Sequence, residues 1–158
     1  MIELTIPDSD AMEALGARLA PVLRAGDLVQ LDGELGAGKT TLTRGLGAAL
    51  GAREAITSPT FVLAREHPTA SGTPLVHVDA YRLATAAELD DLDLDWENAI
   101  VVVEWGAGKL DDTADRLVIE IERPAGGDPL ADESPRSVHI TGVGGRWTEL
   151  DRAMGAAS

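Results

Sequence analysis

The most continuously apolar stretch of the chain, Ala-Ile-Val-Val-Val at 99–103, stops at Glu104-Trp105. Such a run, rich in β-branched residues and without a polar alternate face, predicts a strand covered on both sides, hence a central strand of a sheet. Residues 27–32, Asp-Leu-Val-Gln-Leu-Asp, alternate in the manner of a second strand, and residues 41–50 continue with a helical pattern. Ahead of them, residues 3–6 predict a short strand ended by Pro7, after which Asp8, Ser9 or Asp10 can cap a helix. Met12, Leu15, Leu19, Val22 and Leu23 recur at the three-and-four spacing of a helix buried on one side, and Pro21 falls where it kinks or shortens that helix.

Farther along, residues 61–66 and 75–78 predict strands, the second terminating at Asp79, with a turn at 69–74 between them. Residues 85–94 predict an acidic helix. Residues 117–121 and 138–140 predict two short strands separated by the Pro/Gly/Asp-rich segment 124–135, and their alternation with charged neighbours suits antiparallel edge strands. The chain has 158 residues, enough for one core. Residues 1–150 therefore read as one domain, and 151–158, with little to bury, as a tail that frays.

Charge changes the picture of partners. Against 27 acidic side chains stand 13 basic ones, a net charge of −14, which opposes autonomous binding to nucleic acid. Cysteine is absent, so neither a disulfide framework nor a thiolate metal site is expected. No basic-then-apolar leader opens the sequence and no stretch of about 18 apolar residues occurs, which predicts a cytoplasmic protein without a membrane span.

The chemistry concentrates at 33–40. Gly33-Glu34-Leu35-Gly36-Ala37-Gly38-Lys39-Thr40 fits the phosphate-loop pattern G-x-x-x-x-G-K-S/T, between a predicted strand and a predicted helix. Glycines allow successive backbone N–H groups to converge on phosphate oxygens, and the helix directs its positive end at the same anion. Lys39 supplies a mobile cation, one of only two lysines in the chain with Lys109. Thr40 brings a hydroxyl to the Mg²⁺ that accompanies a nucleoside triphosphate such as ATP.

A phosphate-loop site also needs an acid at the end of a neighbouring strand. Glu104 follows the stronger apolar strand and matches the metal position better; Asp79 follows a weaker one and is placed to share the metal or orient the attacking water. Either acid can take either role. Thr57, Ser58 and Thr60 form a turn-like cluster with Pro59. His67, His77 and His139 lack metal-ligand spacing and read as structural residues. Tyr81-Arg82 reads as a solvated face, and Trp105 and Trp147 as core or interface aromatics.

Taken together, G-E-L-G-A-G-K-T-T at 33–41, S-P-T at 58–60, H-V-D-A-Y-R-L at 77–83, V-E-W at 103–105 and G-G-R-W at 144–147 resemble the TsaE (YjeE) ATPases of bacterial tRNA threonylcarbamoyladenosine modification. The resemblance covers nearly the whole chain. It implies an α/β, phosphate-loop NTPase-like three-layer fold with a mainly parallel central sheet flanked by antiparallel strands, and slow, Mg²⁺-dependent ATP hydrolysis. It also implies that TsaD and TsaB carry out the threonylcarbamoyl transfer, with this chain acting on their complex and meeting tRNA only through it. By position, Gly36, Gly38, Lys39, Thr40 and Thr41 correspond to the nucleotide loop, and Asp79 and Glu104 to the metal and hydrolysis acids. Ser58 and Thr60 gain a place as a switch that senses the γ-phosphate, and Tyr81, Arg82 and Trp105 lie near the site or a partner surface. The chain departs from the family pattern at Gly106-Ala107-Gly108, where relatives often carry an additional acid, and at 7–12, where they often carry a threonine.

Two other functions use the same cradle. A small-molecule kinase would pass the γ-phosphate to a metabolite, although no acceptor site is legible. A nucleotide-gated binding module would dock a partner on ATP occupancy, with hydrolysis incidental. A GTPase is disfavoured, since no Asn-Lys-x-Asp segment occurs.

Overall fold

In the computed structural model of the chain, residues 1–34, 37–52, 64–80, 87, 94–105, 115–123 and 135–156 are described. Their strands are β1 (Ile2–Ile6), β2 (Leu28–Gly33), β3 (Ala64–His67), β4 (Leu75–Asp79), β5 (Ile100–Glu104), β6 (Arg116–Glu122) and β7 (Arg136–Val143). The helices are α1 (Ser9–Leu19), α2 (Lys39–Ala49) and α3 (Leu150–Ala156), with one short 3-10 turn at Gly145–Trp147.

The strands form one sheet in the order β1-β7-β6-β2-β5-β4-β3. β6, β2, β5 and β4 run parallel to one another. β7 and β1 extend the sheet antiparallel on one side, and β3 does so on the other. The mixed α/β sheet with a parallel centre is therefore as expected. The acidic helix expected at 85–94 lies almost wholly outside the described residues.

Burial follows the strand period of two. Val29, Leu31, Ile100, Val102, Leu117, Ile119, Ile121, Val138 and Ile140 face α1 and α2, where they join Met12, Leu15, Leu19, Leu42 and Leu46 in the main core. The alternate residues Leu28, Val76, Val78, Val101 and Val103 form a second cluster, packed with Leu94 and Trp96. β5 is buried on both faces because its residues contribute to both clusters. Truncating Leu42 to alanine in such a core costs about 2–5 kcal/mol.

Local sequence accounts for both main helices. Asp8 caps α1, its side chain accepting a hydrogen bond from the Ala11 N–H at 2.8 Å. The helix ends at Leu19, so Pro21 lies beyond it and causes no kink. α1 and α2 approach closely at Gly16 and Gly45. A methyl group at Gly16 would strike the Leu42 carbonyl oxygen, and one at Gly45 the Glu13 carbonyl oxygen. Close packing thus offsets the roughly 1 kcal/mol that glycine costs inside a helix.

Two expectations give way. β6 and β7 are interior strands, because β6 pairs with β2 as well as β7, and β7 is covered by β1. Alternation identifies a buried face; it carries no information about which strand lies alongside. The segment expected to fray from 151 instead lies largely within α3, where Leu150 and Met154 reach the main core four residues apart. That spacing places both on one helical face.

Candidate functional site

The chain leaves β2 at Gly33 and enters α2 at Lys39, so the glycine turn sits at the carboxyl end of a central parallel strand. Gly38 precedes the helix with φ of 118°, a conformation that glycine adopts without strain. The N-cap position is Gly38, which has no side chain to cap α2. The first-turn N–H groups of an α-helix have no intrahelical partner, and those of Thr40 and Thr41 accordingly face the turn, where an anion would meet them.

Lys39 is buried, at 6% exposure. Its Nζ donates to the carbonyl oxygens of Gly33 at 2.6 Å and Glu34 at 3.0 Å, and lies 4.0 Å from the centroid of the Trp105 ring. Burial pushes the Lys39 pKa below its ordinary value of 10.5, and the carboxylates of Glu104, Asp79 and Asp32 oppose that push. Trp105 has a left-handed backbone, with φ of 62°, immediately after the strand that ends at Glu104. Its N–H donates to the Leu31 carbonyl at 3.1 Å, tying that bend to β2.

The two acids meet here by register. Asp79 and Glu104 are direct partners across β4 and β5, and Leu31 of β2 partners Glu104 on the other side. Their side chains share the face carrying Val29 and Val102, the face on which α2 packs. Glu104 is 4% exposed, and Asp79 is half-buried. The residues brought together are therefore Lys39, Asp79, Glu104 and the start of α2 with Thr40 and Thr41. Leu35, Gly36, Ser58, Thr60, Tyr81 and Arg82 lie outside the described residues.

Two features escaped the reading of the sequence. His77, taken as structural, is fully buried with Nε2 at 3.2 Å from the Glu104 Oε2. A histidine two residues before a strand-end acid shares that acid's face, and this was the available signal. Arg136, at the start of β7, is buried and donates through Nε to the Ala37 carbonyl of the glycine turn at 3.2 Å. Nothing local to residue 136 points to a loop 99 positions away.

The G-G-R-W segment lies at the opposite end of β2. Arg146 donates to both carboxylate oxygens of Asp27, at 3.0 and 2.9 Å, and to the Val22 carbonyl at 2.8 Å. Its guanidinium lies over Trp147, 4.2 Å from the ring centroid, and Trp147 is a core residue. This motif holds the fold together, remote from the glycine turn.

No group of three or more His, Cys, Asp or Glu suited to a metal occurs among the described residues. Two carboxylates and a threonine hydroxyl are nonetheless hard oxygen donors of the kind Mg²⁺ takes when substrate oxygens and water complete its shell. None of the helices among the described residues is long and apolar enough to cross a membrane.

These features define an α/β protein whose candidate site is a glycine turn and helix start beside two acids at the ends of parallel strands. The family model described as threonylcarbamoyl adenosine biosynthesis protein TsaE matches residues 6–128, and the chain belongs to the TsaE family. It is 59% identical to the tRNA threonylcarbamoyladenosine biosynthesis protein TsaE of Streptomyces coelicolor over 145 residues, covering 89% of this chain and 96% of that protein. The Bacillus subtilis protein of the same description is 34% identical over 143 residues, covering 87% of this chain and 84% of the relative. The crystal structure of Bacillus subtilis YdiB superposes with a TM-score of 0.73 at 30% identity, covering 98% of this chain and 94% of that one.

Proposed function

We propose that this chain binds ATP with Mg²⁺ at the glycine turn, hydrolyses it to ADP and phosphate, and thereby supports tRNA threonylcarbamoyladenosine formation. The observation that carries the reading is the in-register pair Asp79–Glu104 beside Lys39, at the mouth of an uncapped helix. A lone glycine turn would suit many anions. A turn flanked by a buried lysine and two strand-end carboxylates suits a polyphosphate that arrives with a divalent cation.

In this reading the first-turn N–H groups of α2 and the Lys39 ammonium bind the phosphate tail. Lys39 leaves the Gly33 and Glu34 carbonyls to do so, exchanging two neutral acceptors for charged ones. Thr40 and one of the two acids would hold Mg²⁺, which would supply charge neutralisation for the transferring phosphoryl group. The other acid orients the attacking water. Arg136 steadies the turn through Ala37. The names of the relatives support a role in tRNA modification, and the acidity of the chain suits one exerted through proteins instead of by gripping RNA. TsaD- and TsaB-like proteins are the proposed partners.

Calorimetric titration of the folded protein with ATP and Mg²⁺, followed by assay of released phosphate, tests the core of the proposal. Heat of binding and free phosphate are expected. A flat titration would end the nucleotide reading, and phosphate found on a small molecule instead of in water would replace the ATPase with a kinase. Co-purification with TsaD- and TsaB-like proteins, with and without ATP, tests the partners; no association in either condition would remove them.

A further inference from the structure

His77 presents a cost without a structural return. Its side chain is fully buried, and neither ring nitrogen has an aligned hydrogen-bond partner among the described residues. Burying an imidazole in that condition is unfavourable, and on its own face of the sheet Leu75 of β4 and the register partner Val102 of β5 are core residues, a setting that an apolar side chain would suit. What the imidazole does touch is Glu104: Nε2 lies 3.2 Å from Oε2, close enough for electrostatic contact but misaligned for a hydrogen bond. Strand geometry makes this contact specific. His77 and Asp79 share one face of β4, Val102 and Glu104 share the same face of β5, and the imidazole therefore stands one step behind the pair of acids.

We propose that His77 is a positioning residue for Glu104, its Nε2–H donating to one carboxylate oxygen and fixing the carboxylate's orientation toward the phosphate site. The 3.2 Å separation is within hydrogen-bonding distance, so the proposed bond needs a change of alignment and not of distance. The other carboxylate oxygen then keeps a defined direction for the metal or the water. The role rests on the ATPase reading of the site, but the pairing itself does not.

Two measurements test it. Long-range ¹⁵N–¹H spectra of the nucleotide-free protein report which imidazole nitrogen carries the proton; the expected result is Nε2–H with a bare Nδ1, and a resonance that moves in Glu104→Gln. Kinetics of His77→Leu and His77→Gln form the second. The leucine variant is expected to lose about tenfold or more in kcat, the scale usual when support for a metal-site carboxylate is removed, with the KM for ATP nearly unchanged. The glutamine variant, whose amide can reach the same oxygen, is expected to recover most of that loss. A proton on Nδ1, or wild-type kcat in a folded leucine variant, overturns the proposal. Should the leucine variant fail to fold, His77→Asn, with its shorter reach, takes its place: wild-type turnover there overturns the proposal, and slow turnover relieved in His77→Gln supports it. A wild-type protein that releases no phosphate would instead refute the ATPase reading and leave the spectra to decide the pairing.

Discussion

The two ends of the parallel strands treat charge in opposite ways. At the amino end, Asp27 accepts two hydrogen bonds from Arg146 and one from the Arg24 N–H at 2.8 Å, while Arg146 also reaches the Val22 carbonyl. Asp27 is buried and the charges answer one another closely. At the carboxyl end, Lys39 is buried with two neutral carbonyls and a tryptophan face as its direct partners, and three carboxylates act on it through space. His77 behind them has no aligned hydrogen bond among the described residues. A network satisfied internally stabilises a fold. Charges whose closest partners are neutral groups stand ready for an incoming one.

That contrast separates the expected effects of substitution. Glu104→Gln should lower ATP turnover by about a thousandfold, roughly 4 kcal/mol in the barrier. ATP affinity, measured by calorimetry, should change little; normal turnover would remove Glu104 from the chemistry. Arg146→Ala should destabilise the fold by about 3 kcal/mol because Asp27 is left buried without its partner, seen as a fall of roughly 6–12 °C in melting temperature. Its ATP affinity should stay unchanged, and a loss of binding without a loss of stability would break the distinction between the two ends.

Lys39→Ala should weaken ATP binding by about a hundredfold, roughly 2.7 kcal/mol, with the fold intact. Unaltered affinity would count against its phosphate role. The smallest effect concerns pH. Because Lys39 has a folded pKa below 10.5, the unfolded chain holds its proton more tightly, so stability should rise with pH as the folded group loses its proton. Chemical denaturation of wild type and Lys39→Met, compared from neutral pH toward 10.5, should shift in favour of the wild type. A constant difference would mean that the two carbonyls and the indole fully compensate the burial of the ammonium.

Legibility differed between elements for a physical reason. β5 announced itself because a strand buried on both faces has to be apolar throughout, and Asp8 announced α1 because its cap is local. The glycine turn was equally plain, since its backbone requirements fall on a few adjacent positions. β6 and β7 were found as strands but misplaced as edges, because their alternation is the same whether one neighbour or two lie alongside. Ser58 and Thr60, the proposed switch residues, lie outside the described residues.

Short-range physics thus let the amino-acid order alone specify the starts of α1 and α2, the strands, the turn with Lys39 and the two strand-end acids. Tertiary structure decided which of these meet. Only strand register sets Glu104 beside Asp79 and brings His77 to 3.2 Å from Glu104, and only the assembled fold delivers Arg136 to Ala37 and Arg146 to Asp27. Those contacts join residues 25 to 119 positions apart, where the geometry comes from packing two apolar faces together and no local preference of the backbone can anticipate it.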